Sequence, residues 1–227
     1  MKILLTIPTL AELYQIQKFF PGEVKPIANE FVWIQGHQIN TKVTGAGMVN
    51  AAAKTCMFLL EDRYDLAIQA GIAGTFSADI PLGITVEVTS EFLPEFGVED
   101  GDEFMPFMQL GLSGDEQYPQ PTDGILRNHY QAAADSIKKA RGITVNRVTG
   151  SEKKRNYLLE LYPAEIESME GFGFFFSCIL NQTPFICIRG ISNRVGKRER
   201  SSWKIAEALE ATAISLHDIF LKIDTKR

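Results

Sequence analysis

Short apolar runs alternate with stretches of helical period along this chain, and glycine or proline marks most of the joins. Residues 2–7 are apolar almost throughout, as in a strand covered on both faces. Thr9 and Glu12 stand at capping-box spacing ahead of a helical pattern that carries Leu10, Leu13, Tyr14 and Ile16, and Pro21-Gly22 stops it. Residues 31–34 and 38–43 predict two strands of a hairpin joined by Gln35-Gly36-His37. The stretch 43–60 then reads as strand end, glycine turn (Thr44-Gly45-Ala46-Gly47) and helix. Residues 64–69 predict another strand, followed by a second glycine-rich turn, Ala70-Gly71-Ile72-Ala73-Gly74-Thr75. Alternation over 84–90 fits one strand more.

Beyond it the pattern loosens. Residues 91–103 hold Glu91, Glu95, Glu99, Asp100, Asp102 and Glu103 and read as a solvated acidic loop; no histidine accompanies the carboxylates to suggest a metal. Residues 104–118, rich in proline and glycine, read as an irregular surface region suited to a lid or a subunit contact. A helix is expected over 124–140, with Ile125, Leu126, Tyr130, Ala133 and Ile137 on one face, then a strand over 143–149 and a helix over 152–161. Residues 169–180 are apolar enough for a buried helix, 184–189 for a strand, and 203–221 for a terminal amphipathic helix. Strands alternating with helices, and glycine turns after several strands, predict an α/β fold: a single domain over 1–227 with a central, mixed, largely parallel sheet flanked by helices.

Composition narrows the chemistry. A chain of 227 residues, 45% hydrophobic and 22% charged, has ordinary globular make-up and room for a sizeable core. A formal net charge of −5 argues against a general nucleic-acid binder. No run reaches the ~20 apolar residues of a membrane span, and the N-terminal apolar run is too short for a signal peptide. The expectation is a cytoplasmic protein with no membrane or nucleic-acid partner. Cys56, Cys178 and Cys187 form no Cys-x-x-Cys pair, which predicts buried thiols and neither disulfides nor zinc. His37, His129 and His217 sit at no metal or triad spacing, and no Gly-x-Ser-x-Gly elbow occurs. No cofactor or metal is expected.

What remains is a constellation of carboxylates, amides and glycine-rich strand ends. Glu167-Ser168-Met169-Glu170-Gly171 leads into the buried helix, and Arg189-Gly190-Ile191-Ser192-Asn193 ends a strand, where ligands of α/β proteins bind. Carboxylates suit a cationic transition state such as the oxocarbenium-like sugar of glycosidic cleavage. Each part also has a plain structural role open to it. Glu12 could serve only its helix cap, and the glycines only a tight turn.

The segments Ser168-Met169-Glu170-Gly171 and Arg189-Gly190-Ile191-Ser192-Asn193, with Thr44-Gly45-Ala46-Gly47 and Gln69-Ala70-Gly71-Ile72-Ala73-Gly74, resemble the signature of the purine nucleoside phosphorylase / nucleosidase superfamily, nearly end to end. The resemblance implies that Met169 and Glu170 lie under a ribose and that Asn193 meets the purine. It implies that Glu12 activates water, as in methylthioadenosine-type nucleosidases. Gly45, Gly47, Ala70, Gly71, Ile72 and Arg194 become expected substrate-binding positions. An asparagine stands where methylthioadenosine-type enzymes carry an aspartate, which suits a 6-oxo purine. Ile7-Pro8-Thr9-Leu10 replaces the glycine-aspartate phosphate loop of phosphorylases, which favours hydrolysis.

Asn193, the segment Phe96-Gly97-Val98-Glu99-Asp100 and the run from Ser192 to Arg198 followed by Trp203 are similar to the futalosine hydrolase branch. That likeness implies release of hypoxanthine from futalosine in menaquinone biosynthesis. Futalosine carries a benzoate on its 5′ side, so a nearby cation is expected, with Arg194, Lys197 and Arg198 as candidates. A solvated charged loop is the plainer reading of those three. A methylthioadenosine/adenosylhomocysteine nucleosidase, a purine nucleoside phosphorylase and a non-catalytic nucleoside-binding protein remain alternatives. Homodimers or higher homo-oligomers are usual in the resembling family.

Overall fold

The computed structural model describes residues 1–101, 103–110, 124–130 and 137–223. Its centre is the run of strands β1 (Lys2–Ile7), β3 (His37–Val43), β4 (Leu66–Thr75) and β11 (Phe185–Arg194), with β1 parallel to β3 and β4, and β4 parallel to β11. The edge strand β2 (Phe31–Ile34) pairs antiparallel with β3 across the expected hairpin, where Gln35 and Gly36 take positive φ. On the far side of β11 the sheet continues through β5 (Thr85–Phe92), β9 (Lys138–Thr144) and β10 (Ile166–Ser168), and the two-residue β8 (Leu126–Arg127) also pairs with β5. Residues 66–69 of β4 pair with β1, and residues 74–75 pair with β10. β10 also pairs with β9, so β4, β11, β5, β9 and β10 curl into a closed ring from which β1, β3 and β2 extend. The α/β class with a mixed sheet is as expected.

Helices cover the two faces. α1 (Leu10–Phe19) and α5 (Ile205–Lys222) pack on each other over one core, where Leu13 and Ile16 meet Leu209, Ala213 and Leu216 above Leu5, Ile7 and Ile68. α2 (Met48–Glu61) packs against α4 (Gly171–Leu180) over the second core, built on Phe58, Phe172, Phe174, Phe175 and Cys178. Phe174 and Phe175 meet Phe185 edge-on, with centroids 5.7 and 4.6 Å apart. α3 (Glu152–Leu161), capped by the Ser151 hydroxyl, contributes Leu158 to a third, smaller cluster. No helix among the described residues is long and apolar enough to cross a membrane.

Several expectations need correction. The helix over 124–140 is not found: Leu126–Arg127 and Lys138–Thr144 are strands, and 131–136 lie outside the described residues. Leu126 and Ala140 are indeed buried, but against β5 and α4 in a sheet, where pairing decides what a mixed apolar pattern becomes. The strand expected at 143–149 accordingly lies earlier. Residues 70–75 are a continuation of β4, not a turn, because β11 pairs with them throughout. The acidic stretch is solvated as expected at Glu95, Glu99, Asp100 and Glu103, but Glu91 lies near the end of a sheet strand inside the protein, and the stretch is not a loop throughout. The rest folds as a hairpin of β6 (Gly97–Asp100) and β7 (Glu103–Pro106). Of 104–118, residues 107–110 form a short 3₁₀ turn, and 111–118 lie outside the described residues. Cys178 and Cys187 are buried free thiols whose ionisation burial pushes up, whereas Cys56 is only half-buried.

Phe175 carries the α4 core most directly. Phe175→Ala should cost about 3–5 kcal/mol, read as a lower midpoint in urea unfolding.

Candidate active site

A cavity of about 500 Å³ opens over the carboxyl ends of β1, β4 and β11, beside the starts of α1, α4 and α5. Each element brings a polar group to it for a local reason. Thr9 caps α1, accepting from the Glu12 N–H at 3.2 Å. Its hydroxyl also donates to Glu12 Oε2 at 2.6 Å, and the Ile72 N–H donates to Oε1 at 3.2 Å. Glu12 therefore holds its carboxylate across the helix start and against β4. The bare backbone of Gly71 allows this, since a Cβ there would come within 3.2 Å of Oε1. Burial raises the Glu12 pKa. The Thr9 bond, Arg189 and the Ile72 N–H pull it down, the nearby Glu170 charge adds to the rise, and the net shift is upward.

Glu170 is the residue before α4 and is buried, with Oε1 accepting from the Gly47 N–H at 2.8 Å. Gly47 sits at φ +92°, which a side chain would strain, so the glycine turn before α2 aims a backbone donor at the carboxylate. Ser192 and Asn193 both line the cavity although consecutive strand residues point to opposite faces. The reason is a register shift between Ile191 and Asn193 against β4, a bulge that turns both inward. The Asn193 amide is oriented by its neighbours: Oδ1 accepts from the Ser192 hydroxyl at 2.8 Å, and Nδ2 donates to the Arg194 carbonyl at 3.0 Å.

The structure thus brings Glu12, Ile72, Met169, Glu170 and Asn193 to one cavity. Gly47 and Gly71 stand behind it, supporting Glu170 and Glu12. Gly45, at φ +90°, shapes the same turn. None of these three glycines lines the cavity itself, and Ala70 and Arg194 have no part in it. Ala70, on β4, is fully buried in the core. Arg194 turns away, its guanidinium donating to the carbonyls of Ser77 and Ile80. Glu167 lines the cavity, but both its oxygens are held by Thr149, from N–H at 2.9 Å and from Oγ1 at 2.5 Å.

Sequence reading missed the layer beneath. Arg189, wholly buried, donates to Gln69 Oε1 and to the Ile188 carbonyl at 3.1 Å. Burial opposes its charge, but Cys187, Glu170, Glu91 and Glu12 together outweigh that and leave its pKa raised. Glu91 is equally buried. Oε2 accepts from Thr144 Oγ1 at 2.9 Å, and that oxygen accepts from the Phe172 N–H at 2.7 Å, so Glu91 braces the first turn of α4 just past Glu170. Glu91 Oε1 has no hydrogen-bond partner among the described residues. It lies so close to Gly171 and Gly142 that a Cβ on either would stand 2.0 or 2.5 Å from it. Burial pushes the Glu91 carboxyl up to about 8, against the pull of Arg189 and the Thr144 bond. No local pattern signalled it: a register shift at Thr89 of β5 turns the residues after it over, which alternation alone does not reveal.

Fold and cavity together describe an α/β protein whose cavity over the strand ends presents fixed carboxylates and an oriented amide. The family model for the Phosphorylase superfamily matches residues 7–223, and the chain belongs to that family. Among its relatives, the futalosine hydrolase of Streptomyces coelicolor is 34% identical over 175 residues, 74% of this chain and 72% of that one. The 5′-methylthioadenosine/S-adenosylhomocysteine nucleosidase of Colwellia psychrerythraea is 27% identical over 206 residues, 84% of this chain and 80% of that one. The solved structure of futalosine hydrolase from Helicobacter pylori matches with a TM-score of 0.76 at 14% identity, covering 97% of each chain, a likeness of fold.

The Glu91 carboxyl makes a prediction in pH. Between the ordinary value of 4.5 and about 8 the folded state keeps a proton that the unfolded state has lost. The stability from the protonated form is therefore fully present below about 4.5 and is lost as pH rises through about 8. Glu91→Gln cannot titrate, so wild type should lose stability relative to the variant between about pH 5 and about pH 8.5. Urea unfolding at both pH values reads this, and a constant difference would contradict it.

Proposed function

We propose that the protein is an N-ribosyl hydrolase that cleaves futalosine, releasing hypoxanthine and dehypoxanthine futalosine, in the cytoplasm and within menaquinone biosynthesis. The observation that carries this reading is the meeting of Glu12, Glu170 and the oriented amide of Asn193 around one cavity. The similarity to futalosine hydrolases over about three quarters of the chain supports the substrate. In this reading Met169 and Glu170 lie under the ribose. As the bond from C1′ to the purine breaks, its electron pair leaves with the base and positive charge grows on the sugar, which the Glu170 carboxylate stabilises. Glu12 takes a proton from the attacking water as hydroxide joins C1′, and the purine gains a proton in turn, so the step is balanced. A raised Glu12 pKa brings that base closer to neutral strength. Asn193 keeps an N–H for the 6-oxo purine while Ser192 holds its oxygen. Phe96, Val98 and Met105, exposed on the β6–β7 hairpin, offer an apolar contact for a homodimer.

The second reading, a methylthioadenosine/adenosylhomocysteine nucleosidase, is favoured by the relatives of that name, at lower identity. Base release separates the two. The protein should release hypoxanthine from futalosine without phosphate; adenine release from methylthioadenosine alone would replace the reading, and a phosphate requirement would make it a phosphorylase. Glu12→Gln should lower kcat by about 10²–10⁴-fold and remove the acid limb of the pH profile. Unchanged turnover would take Glu12 out of the reaction. Asn193→Asp should shift preference toward 6-amino purines. An aspartic acid can pass its proton to a ring nitrogen of a 6-amino purine, which an amide cannot. Unchanged selectivity in paired adenine and hypoxanthine assays would contradict this account.

A further inference from the structure

The cavity is lined by three carboxylates, Glu12, Glu167 and Glu170, and among its described lining residues the only cation is Arg198. The carboxylates are already engaged: Glu12 by Thr9 and Ile72, Glu170 by Gly47, Glu167 by Thr149. Arg198 makes no ion pair among the described residues, and its guanidinium carbon lies 5.2 Å from the centroid of the Trp203 ring. A guanidinium stacked on an indole still presents its N–H edge to a planar acceptor. Its neighbours are otherwise occupied. Arg194 is tied to the carbonyls of Ser77 and Ile80, and Lys197 is 4.0 Å from Glu199. Around this pair the lining is apolar: Trp203, Ile205 and Leu209 at the entry to α5, and Val148. Val148 and Ile205 remain 42% and 39% exposed, surface that a flat ring would cover.

We propose that Arg198 and Trp203, with the apolar residues beside them, form a subsite for an aryl carboxylate. The ring lies against Trp203, Ile205 and Val148, and the carboxylate meets the Arg198 edge. An apolar wall beside one guanidinium suits an aromatic acid better than a phosphate, which needs more donors and no wall. The assignment rests on the reading of the cavity as a nucleosidase site, in which this subsite takes the 5′ substituent and selects against neutral ones. Of the candidate cations Arg194, Lys197 and Arg198, only Arg198 lines the cavity, so the specificity role falls on it.

Hypoxanthine release from futalosine should be compared with release from inosine, which has the same base and sugar and no aryl carboxylate. Arg198→Met should lower kcat/KM on futalosine about 10–100-fold, chiefly through KM, with inosine changed no more than about twofold. Arg198→Lys should recover part of the loss, since it keeps the charge without the planar fork. An equal loss on both nucleosides, or none on futalosine, would overturn the subsite. A second arm needs no turnover: 3-methoxybenzoate should quench tryptophan fluorescence in wild type, more weakly in Arg198→Lys and not in Arg198→Met. Trp203→Phe assigns that signal against Trp33, the chain's other tryptophan. No quench in wild type, or an equal quench in Arg198→Met, would also overturn it. If neither nucleoside releases hypoxanthine while the quench follows Arg198, the proposed reaction fails and the subsite stands.

Discussion

Arg189 keeps its charge with no access to solvent, and much of the site is arranged around that charge. A buried guanidinium needs compensating charge and hydrogen bonds, or its desolvation goes unanswered. Gln69 on β4 and the Ile188 carbonyl supply hydrogen bonds, and Glu12, Glu170 and Glu91 converge on it electrostatically. The charge of Arg189 in turn pulls the Glu12 and Glu91 pKa values down against their burial. Two of the three carboxylates face the cavity and the third braces the helix from behind.

This balance explains why the surroundings are built as they are. Gly47 with its positive φ, the glycine contacts on Glu91 and the bare backbone at Gly71 let oxygen atoms approach where a side chain would collide. The bulge after Ile191 breaks strict alternation where Ser192 and Asn193 turn toward the site, and the register shift at Thr89 breaks it just before Glu91, the brace behind α4. Helices α1 and α4 start beside the cavity, and their aromatic and aliphatic faces lock those starts to the sheet. The charged layer is thus held by apolar packing, although Arg189 Nε, Gln69 Nε2 and Glu91 Oε1 are buried without a hydrogen-bond partner among the described residues.

The loop between β11 and α5 differs in kind. Its cations are mostly in solvent, and one of them, Arg198, stands at the cavity wall on Trp203. There the chemistry is set by what the ligand brings, whereas under Glu12 and Glu170 the chain supplies every charge. A nucleosidase reading separates these zones naturally: a reaction centre with a fixed field, and a rim that distinguishes one 5′ substituent from another.

The amino-acid sequence by itself determined the local events. The cap at Thr9, the glycine turn before α2, the apolar helix after Glu170 and the strand leading to Asn193 are short-range patterns, and spacing alone predicts them. Met169, Glu170, Glu12 and Asn193 stood out as candidates through the resemblance that their short motifs carry; spacing alone gave Glu12 only its helix cap. Only the tertiary structure decided that residues 70–75 extend a strand, that Leu126 and Ala140 belong to a sheet, and that β10 closes the ring by pairing with both β9 and β4. Strand pairing joins segments far apart in the chain, and no local period encodes it. The same holds for Glu91. In the chain it is one acid among six, and burial between two glycines makes it a structural brace, because desolvation depends on what the rest of the fold places around it.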